Sequence, residues 1–382
     1  MASHLDEYGD EPIAYVSVPA RFHLLGEHTW FAQGNTLSMA IGYHVQLCVS
    51  KRQDNNFRFF SISLNERRRV SSINLRYKKE DRWANSIKAV IGAFYENNYN
   101  VPGLNFTINS DIPSNAGLGT PNALKVATAL AIGRVLEASM PTDDIVKIVE
   151  YANTEYLGIH PHTADILCVL HAKKNCCIKI DNKEKHTEVY PFNLQGHSLI
   201  LTDSRVPRSI VREELGTKLN ECIEAYEMIK GSAEQFSKSH KLTEHSLKEL
   251  NLNEAERKYV SYIIRERQNV EEATQAIKHD DKVWLSRIVA RSHEGLRDRF
   301  EISCPELDWL VKRSLEFAES VSDNFICARM TGKGFGGCTY SVLKTTDLPL
   351  YKEKLNEYER IFGFSPRFYD VRPADCAKIL LL

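Results

Sequence analysis

The sequence predicts a two-domain α+β protein with ligand groups gathered between the domains. Three observations carry that reading. The 382 residues, 43% of them hydrophobic, exceed what one core ordinarily organises. The first half mixes strand-like and helix-like segments. The second half is mainly helical and rich in charge before it closes on a short β-rich stretch. The expected domains are residues 1–205 and 206–382.

Taken in order, segments 13–18, 43–49, 57–63 and 104–108 read as strands from their aromatic and β-branched residues and partial alternation. Helices are predicted over 83–95, 123–136 and 143–156, with a short one over 163–171. Segments 176–180 and 198–202 return to strand. Further helices follow over 211–230, 254–277 and 281–291, and Pro305 opens another that runs to 318. Two strands, 325–330 and 338–343, flank T-G-K-G-F-G-G, and a helix over 351–361 precedes a last strand at 368–371.

Composition narrows the class. Lys plus Arg number 49 against 50 for Asp plus Glu, so a dedicated nucleic-acid binder is not expected. Nine cysteines without a C-x-x-C pair read as free thiols of a reducing compartment. The N-terminus lacks a secretory pattern and no apolar run reaches membrane-spanning length, which predicts a cytoplasmic protein without a membrane partner.

Chemistry concentrates in a few places. Asn115, Ala116, Gly117, Leu118, Gly119 and Thr120 form a small-residue loop between a strand and a helix start. There backbone N–H groups can converge on an anion. The loop matches neither G-x-x-x-x-G-K-[ST] nor G-x-G-x-x-G, so its residues alone read equally as a tight turn. The segment holding Gly332, Gly334 and Gly336 reads as a hairpin or as part of the same site. Glu27 and His28 carry groups that match sugar hydroxyls. His23 and His28 lie five apart and complete no zinc set. Asp165 is either a helix-turn cap or the acceptor and orienter of a substrate hydroxyl proton. In the second case Arg21 would hold it ionised and neutralise developing phosphoryl charge. No G-x-S-x-G elbow supports a serine hydrolase.

An ordered set of motifs then resembles galactokinase, within the superfamily that also holds homoserine, mevalonate and phosphomevalonate kinases. V-P-A-R-F-H-L-L-G-E-H-T at 18–29 resembles the family's A-P-G-R-V-N-L-I-G-E-H-T. R-W-A-N at 82–85, S-H-E-G-L-R-D at 292–298, S-C-P-E-L-D at 303–308 and C-A-R-M-T-G-K-G-F-G-G-C at 327–338 extend the match over nearly the whole chain. The resemblance implies a two-domain small-molecule kinase fold with the active site between the domains. It implies transfer of the ATP γ-phosphoryl group to the anomeric hydroxyl of galactose. Asp165 then matches the catalytic aspartate and Arg21 its partner, and Glu27 and His28 occupy sugar-contact positions. The loop 115–120 surrounds phosphate, with Gly332, Gly334 and Gly336 shaping its neighbourhood. Trp83 falls at the adenine pocket, or is core. ATP and Mg²⁺ are implied, with no metal ligand assigned. The implied partners are the small-molecule sugar and ATP, and a monomer is the default.

Departures from the family pattern cluster around the substrate. Trp30 stands where an aspartate is expected to meet the sugar, and its indole offers one donor and no acceptor. His162 replaces a close-packed glycine, Ile166 an amide and Leu215 a tyrosine. On the phosphate side Thr120 keeps a hydroxyl, Pro121 removes an N–H, and Asn153 replaces a glutamate. These changes leave two alternatives: a kinase for another sugar or polyol, and a catalytically weak sugar or nucleotide sensor.

Overall fold

Val16, Val18, Ala20 and Phe22 take alternate positions on one long strand, and all four are fully buried. A period of two places them on one face of the pleat, where they anchor the largest core of the molecule. The computed structural model describes residues 1–138, 140–207, 212–239, 247, 250–320 and 327–380. Among these residues the strands in the first half are β1 (Ala14–Leu25), β2 (Thr36–Lys51), β3 (Asn56–Ser61), β4 (Glu66–Ser71), β5 (Leu104–Ser110), β6 (Cys176–Ile180) and β7 (Thr187–Pro191). The second half holds β8 (His197–Asp203), β9 (Cys327–Met330), β10 (Cys338–Lys344), β11 (Arg367–Val371) and β12 (Lys378–Leu380).

One sheet has the order β12-β1-β2-β5-β3-β4, with β6 bridging β2 to β7. Within it β3 and β5 run parallel. The Thr120–Val135 and Thr163–His171 helices pack on β1 and β2, and the Ala84–Glu96 and Thr142–Tyr151 helices pack against them. The second sheet, β11-β8-β10-β9, buries Ile200, Ala328 and Leu343 against Leu310 and Phe317 of the Pro305–Ser320 helix and Tyr351 of the Leu348–Leu355 helix. A helical layer completes the second half. Its Glu254–Lys278 helix starts on a reciprocal cap, in which Asn253 Oδ1 accepts from Glu256 N (2.9 Å) and Asn253 N donates to Glu256 Oε2 (2.8 Å).

β8, within the expected first domain of residues 1–205, pairs in the second sheet, and β12, from the expected second domain, returns to pair with β1. Elements unforeseen in the sequence include β4, β7 and β12, all edge strands. An edge strand buries little, so charge (Glu66, Arg67, Arg68 and Arg69 in β4) masks its pattern. The helix expected over 351–361 is two, Leu348–Leu355 and Glu357–Phe362. That expected over 143–156 ends in a π-helical turn, Ala152–Tyr156. Expected element starts at 211 and 325 lie outside the described residues. All nine cysteines are free thiols. No helix among the described residues is long and apolar enough to cross a membrane.

A buried ion cluster locks the two halves together. Arg329 of β9 is fully buried and pairs with Glu27, which follows β1, at 2.5 Å, and with Glu266 of the Glu254–Lys278 helix at 3.3 Å. Its Nε donates to Ser292 Oγ at 2.9 Å, and Gly26 N donates to Glu266 at 2.7 Å. Burial works against the Arg329 charge, but Glu27 and Glu266 outweigh it and raise its pKa further. Removing the cation would strand two buried carboxylates. Arg329→Met is therefore expected to lower unfolding stability by about 3–5 kcal/mol, read from urea denaturation. An unchanged midpoint would contradict the locking role.

Candidate active site

The site is built outward from β1. Register shifts between Pro19 and Ala20 and between His23 and Leu25 bracket Arg21, and such bulges re-aim side chains. Arg21 and His23, two residues apart, share one face of the strand and both reach Asp165. Arg21 Nε donates to Asp165 Oδ1 (2.7 Å) and Nη2 to Oδ2 (2.5 Å), a bidentate pair. A carboxylate only accepts, so His23 Nε2 carries the proton donated to Oδ1 (2.9 Å), and Nδ1 lies within hydrogen-bond distance of Ser38 Oγ (2.6 Å). Asn122 Nδ2 donates to Oδ2 (2.6 Å). Four donors thus occupy the roughly four lone-pair sites of one carboxylate. Burial alone would push the Asp165 carboxyl up, yet Arg21 and His23 hold it well below the usual range.

Arg21 also fixes the first glycine loop. Its backbone N–H donates to Leu118 O (3.1 Å) and its Nη1 to Gly117 O (2.9 Å). Asn115, Gly117 and Gly119 take φ of 61°, 83° and 82°, so left-handed residues alternate with Ala116 and Leu118, whose side chains are buried in the core. A Cβ on Gly119 would lie 3.2 Å from the Arg21 side chain. No acceptor among the described residues takes the N–H of Ala116, Gly117, Leu118, Gly119 or Thr120. These donors converge at the start of the Thr120–Val135 helix, an arrangement that suits an anion. Thr120 is that helix's first residue, partly exposed, and Pro121 sits where its missing N–H costs nothing.

The second glycine loop closes over the end of β1. Thr331 Oγ1 lies 2.9 Å from His23 O and 3.1 Å from Glu27 Oε1, and Gly332 N donates to Glu27 Oε1 (2.6 Å). Gly332, Gly334 and Gly336 have φ of 85°, 92° and 121°, and a Cβ on Gly334 would fall 2.4 Å from Ile302 O. Glu27, expected on the sugar, thus has protein partners at both oxygens: Thr331 and Gly332 at one, Arg329 at the other. His28 keeps an unspent group. Its ring meets Phe300 edge-on (5.2 Å), and its buried Nε2 has no hydrogen-bond partner among the described residues. Burial, with Lys333 and Arg329 nearby, pushes His28 down to about 3, so the imidazole is neutral.

An open pocket of about 360 Å³ is bordered by Trp30, His162, Thr163, Asn182 and Lys185. Trp30 lies against Phe31 (5.6 Å) and tilts onto His160 (4.8 Å between ring centres). His162 takes φ 57° and ψ 38° before the Thr163–His171 helix, and its carbonyl accepts from Asp165 N (3.0 Å). This left-handed conformation gives a physical reason for the family's glycine. Trp83 precedes the Ala84–Glu96 helix, is partly buried against the main core, and donates its indole N–H to Glu66 Oε2 (3.0 Å). Asn153 is fully buried and donates to Pro161 O (2.7 Å), with Oδ1 unpartnered among the described residues. Ile166 is core, and Leu215 packs on the helical core that includes Phe31.

Three buried polar side chains near Asp165 escaped sequence reasoning. His23 was weighed only as a metal ligand, although its spacing from Arg21 places both on one strand face. Asn122 looked like an ordinary helix start. Lys125 is a lone charge in the otherwise apolar run A-L-K-V-A-T-A-L-A-I, and that isolation was the available signal. It is fully buried.

Comparison with known proteins places this geometry. Residues 2–51 match the galactokinase galactose-binding signature, and residues 85–173 match the GHMP kinases N terminal domain. The chain is 53% identical over 377 residues to a protein of Treponema pallidum (strain Nichols) provisionally named a galactokinase, covering 99% of this chain and 95% of that one. The chain belongs to the galactokinase family of the GHMP kinases. Galactokinase of Thermosipho africanus (strain TCF52B) is 31% identical over 94% of this chain and 98% of its own. The fold matches that of Lactococcus lactis galactokinase complexed with galactose, with a TM-score of 0.89 at 20% identity, covering 99% and 98% of the two chains.

Within this galactokinase-family site His162 has a measurable cost. Burial, with Lys333, Lys125 and Arg21, outweighs Asp165 and pushes it down to about 3, so it folds neutral, as His28 does. An unfolded histidine takes up its proton near pH 6.5. Stability therefore falls as pH drops from there towards 3, by up to about 1.4 kcal/mol per pH unit for each such histidine. His162→Gly is expected to gain about 1 kcal/mol at neutral pH by relieving the left-handed strain. It should also make the acid loss shallower. Urea midpoints across pH test both effects, and a less stable variant with an unchanged acid slope would contradict them.

Proposed function

We propose that this kinase transfers the γ-phosphoryl group of ATP to the anomeric hydroxyl of a sugar, with galactose the first acceptor to examine. The observation that carries the reading is the Arg21–Asp165 pair, fixed to a loop whose N–H groups from Ala116 to Thr120 lack protein acceptors. The loop supplies donors for phosphate oxygens, and the carboxylate faces the acceptor hydroxyl. The galactose-binding signature and the names of the relatives favour galactose.

Phosphoryl transfer has a loose transition state, so positioning and charge matter more than proton abstraction. Asp165, ionised and held by four donors, is a weak base. Its part is to orient the hydroxyl, which takes the place of the neutral Asn122 donor, and to attract its proton once the oxygen bonds to phosphorus. Arg21 spreads positive charge towards the transferring group. Neutral His28 offers Nε2 to a second sugar hydroxyl.

The resemblance also brings Mg²⁺, and the donors here do not fit a protein-held divalent cation. Asp165 is already charge-paired and its lone pairs are taken. Asn153 offers an amide, and the buried Lys125 would repel a dication.

A different sugar or polyol is the second reading, favoured by the Trp30–His160 contact where a carboxylate acceptor is missing. Mass spectrometry of products from ATP, Mg²⁺ and a panel of sugars and polyols tests both readings. A phosphorylated hexose whose fragments place phosphate at the anomeric oxygen is the expected result. Phosphate on another sugar or hydroxyl selects the second reading, and no product from folded protein across the panel would overturn both.

A further inference from the structure

Lys125 is fully buried within the Thr120–Val135 helix, and its Nζ has no hydrogen-bond partner among the described residues. An ammonium taken out of water without an acceptor is costly to the fold, and an arriving anion removes that cost. Its direction is fixed by the helix. Lys125 follows Asn122 by three residues, so both lie on one face, and Asn122 already reaches Asp165. Helical side chains lean towards the N-terminus, which aims the ammonium at the end where the unpartnered N–H groups of 116–120 converge.

We propose that Lys125 is a built-in cation for the terminal phosphate of the nucleoside triphosphate, supplying from the chain itself charge neutralisation that a divalent cation otherwise brings. The inference rests on the nucleotide-dependent reading above. Two further observations support it. Around this point Arg21 and Lys333 set positive charge against Asp165, and Lys125 adds to it when protonated, an environment that suits a polyanion better than a dication. Burial pushes the Lys125 amine down to about 7 despite Asp165, with Lys333 adding to the fall, so a phosphate beside it would restore its charge.

The test is equilibrium binding of ATP and of AMP to the full chain, in excess EDTA and in excess Mg²⁺. Wild type is expected to bind ATP in EDTA within about tenfold of its affinity in Mg²⁺. Lys125→Met should lose about 10- to 100-fold for ATP in EDTA, the worth of a charged hydrogen bond, and leave AMP binding unchanged. Lys125→Arg should recover part of the loss. If Lys125→Met does not fold, Lys125→Gln carries the same comparison. Equal ATP affinity for a folded neutral variant and wild type in EDTA would overturn the proposal, leaving Lys125 a packing residue. So would wild-type binding that requires Mg²⁺. Failure of wild type to bind ATP under either condition would sink the kinase reading and this inference together.

Discussion

The buried Arg329 cluster is the constraint on which the rest of the structure depends. It joins a strand of the second sheet to the segment leaving β1 and to the longest fully described helix of the second half. Three hydroxyls extend the junction along the same few residues. Thr331 donates to His23 O, Tyr340 to Leu24 O (2.9 Å) and Tyr262 to Glu27 O (2.6 Å). Because β1 is held so firmly at its exit, Arg21 and His23 just upstream reach Asp165 with little freedom. The second glycine loop comes to lie over them for the same reason.

The electrostatics of the site follow from that placement. One carboxylate is surrounded by donors until it can scarcely act as a base, and Arg21, which pairs with it, also donates to the first glycine loop. That pattern suits binding of phosphate more than abstraction of a proton. On the opposite side, neutral His28 and His162 and the Trp30–His160 pair offer polar edges on aromatic walls. Hydroxyl groups match such a surface better than carboxylates or ammonium groups do.

Much of this was visible in the residues, for identifiable reasons. The alternating buried positions of β1 declared a strand, and the glycine loops declared backbone in conformations that side chains resist. Chemistry alone made Arg21 a candidate partner for Asp165 and the family resemblance matched the two, but with 144 residues between them no local pattern shows that they meet. The partners of Glu27 were beyond that route. The residue type agreed with the family, while its partners, Arg329 and Gly332, depend on a loop three hundred residues away in the chain. Lys125 was hidden differently: a lysine on an apolar helix reads as an exception to the pattern, and only the structure shows that it is fully buried. The edge strands β4, β7 and β12 lacked any signal, since a strand with little to bury has no strong periodicity.

The central claim is that Asp165 orients the acceptor while Arg21 and the first loop hold the phosphate. Single-turnover phosphoryl transfer by Asp165→Asn, with ATP affinity and unfolding measured on the same sample, tests it most directly. The account predicts a loss of about 10³-fold in rate, with ATP bound nearly as in wild type and the fold weakened but present. Transfer within a few-fold of wild type in the folded variant would contradict it and move the chemistry to another residue.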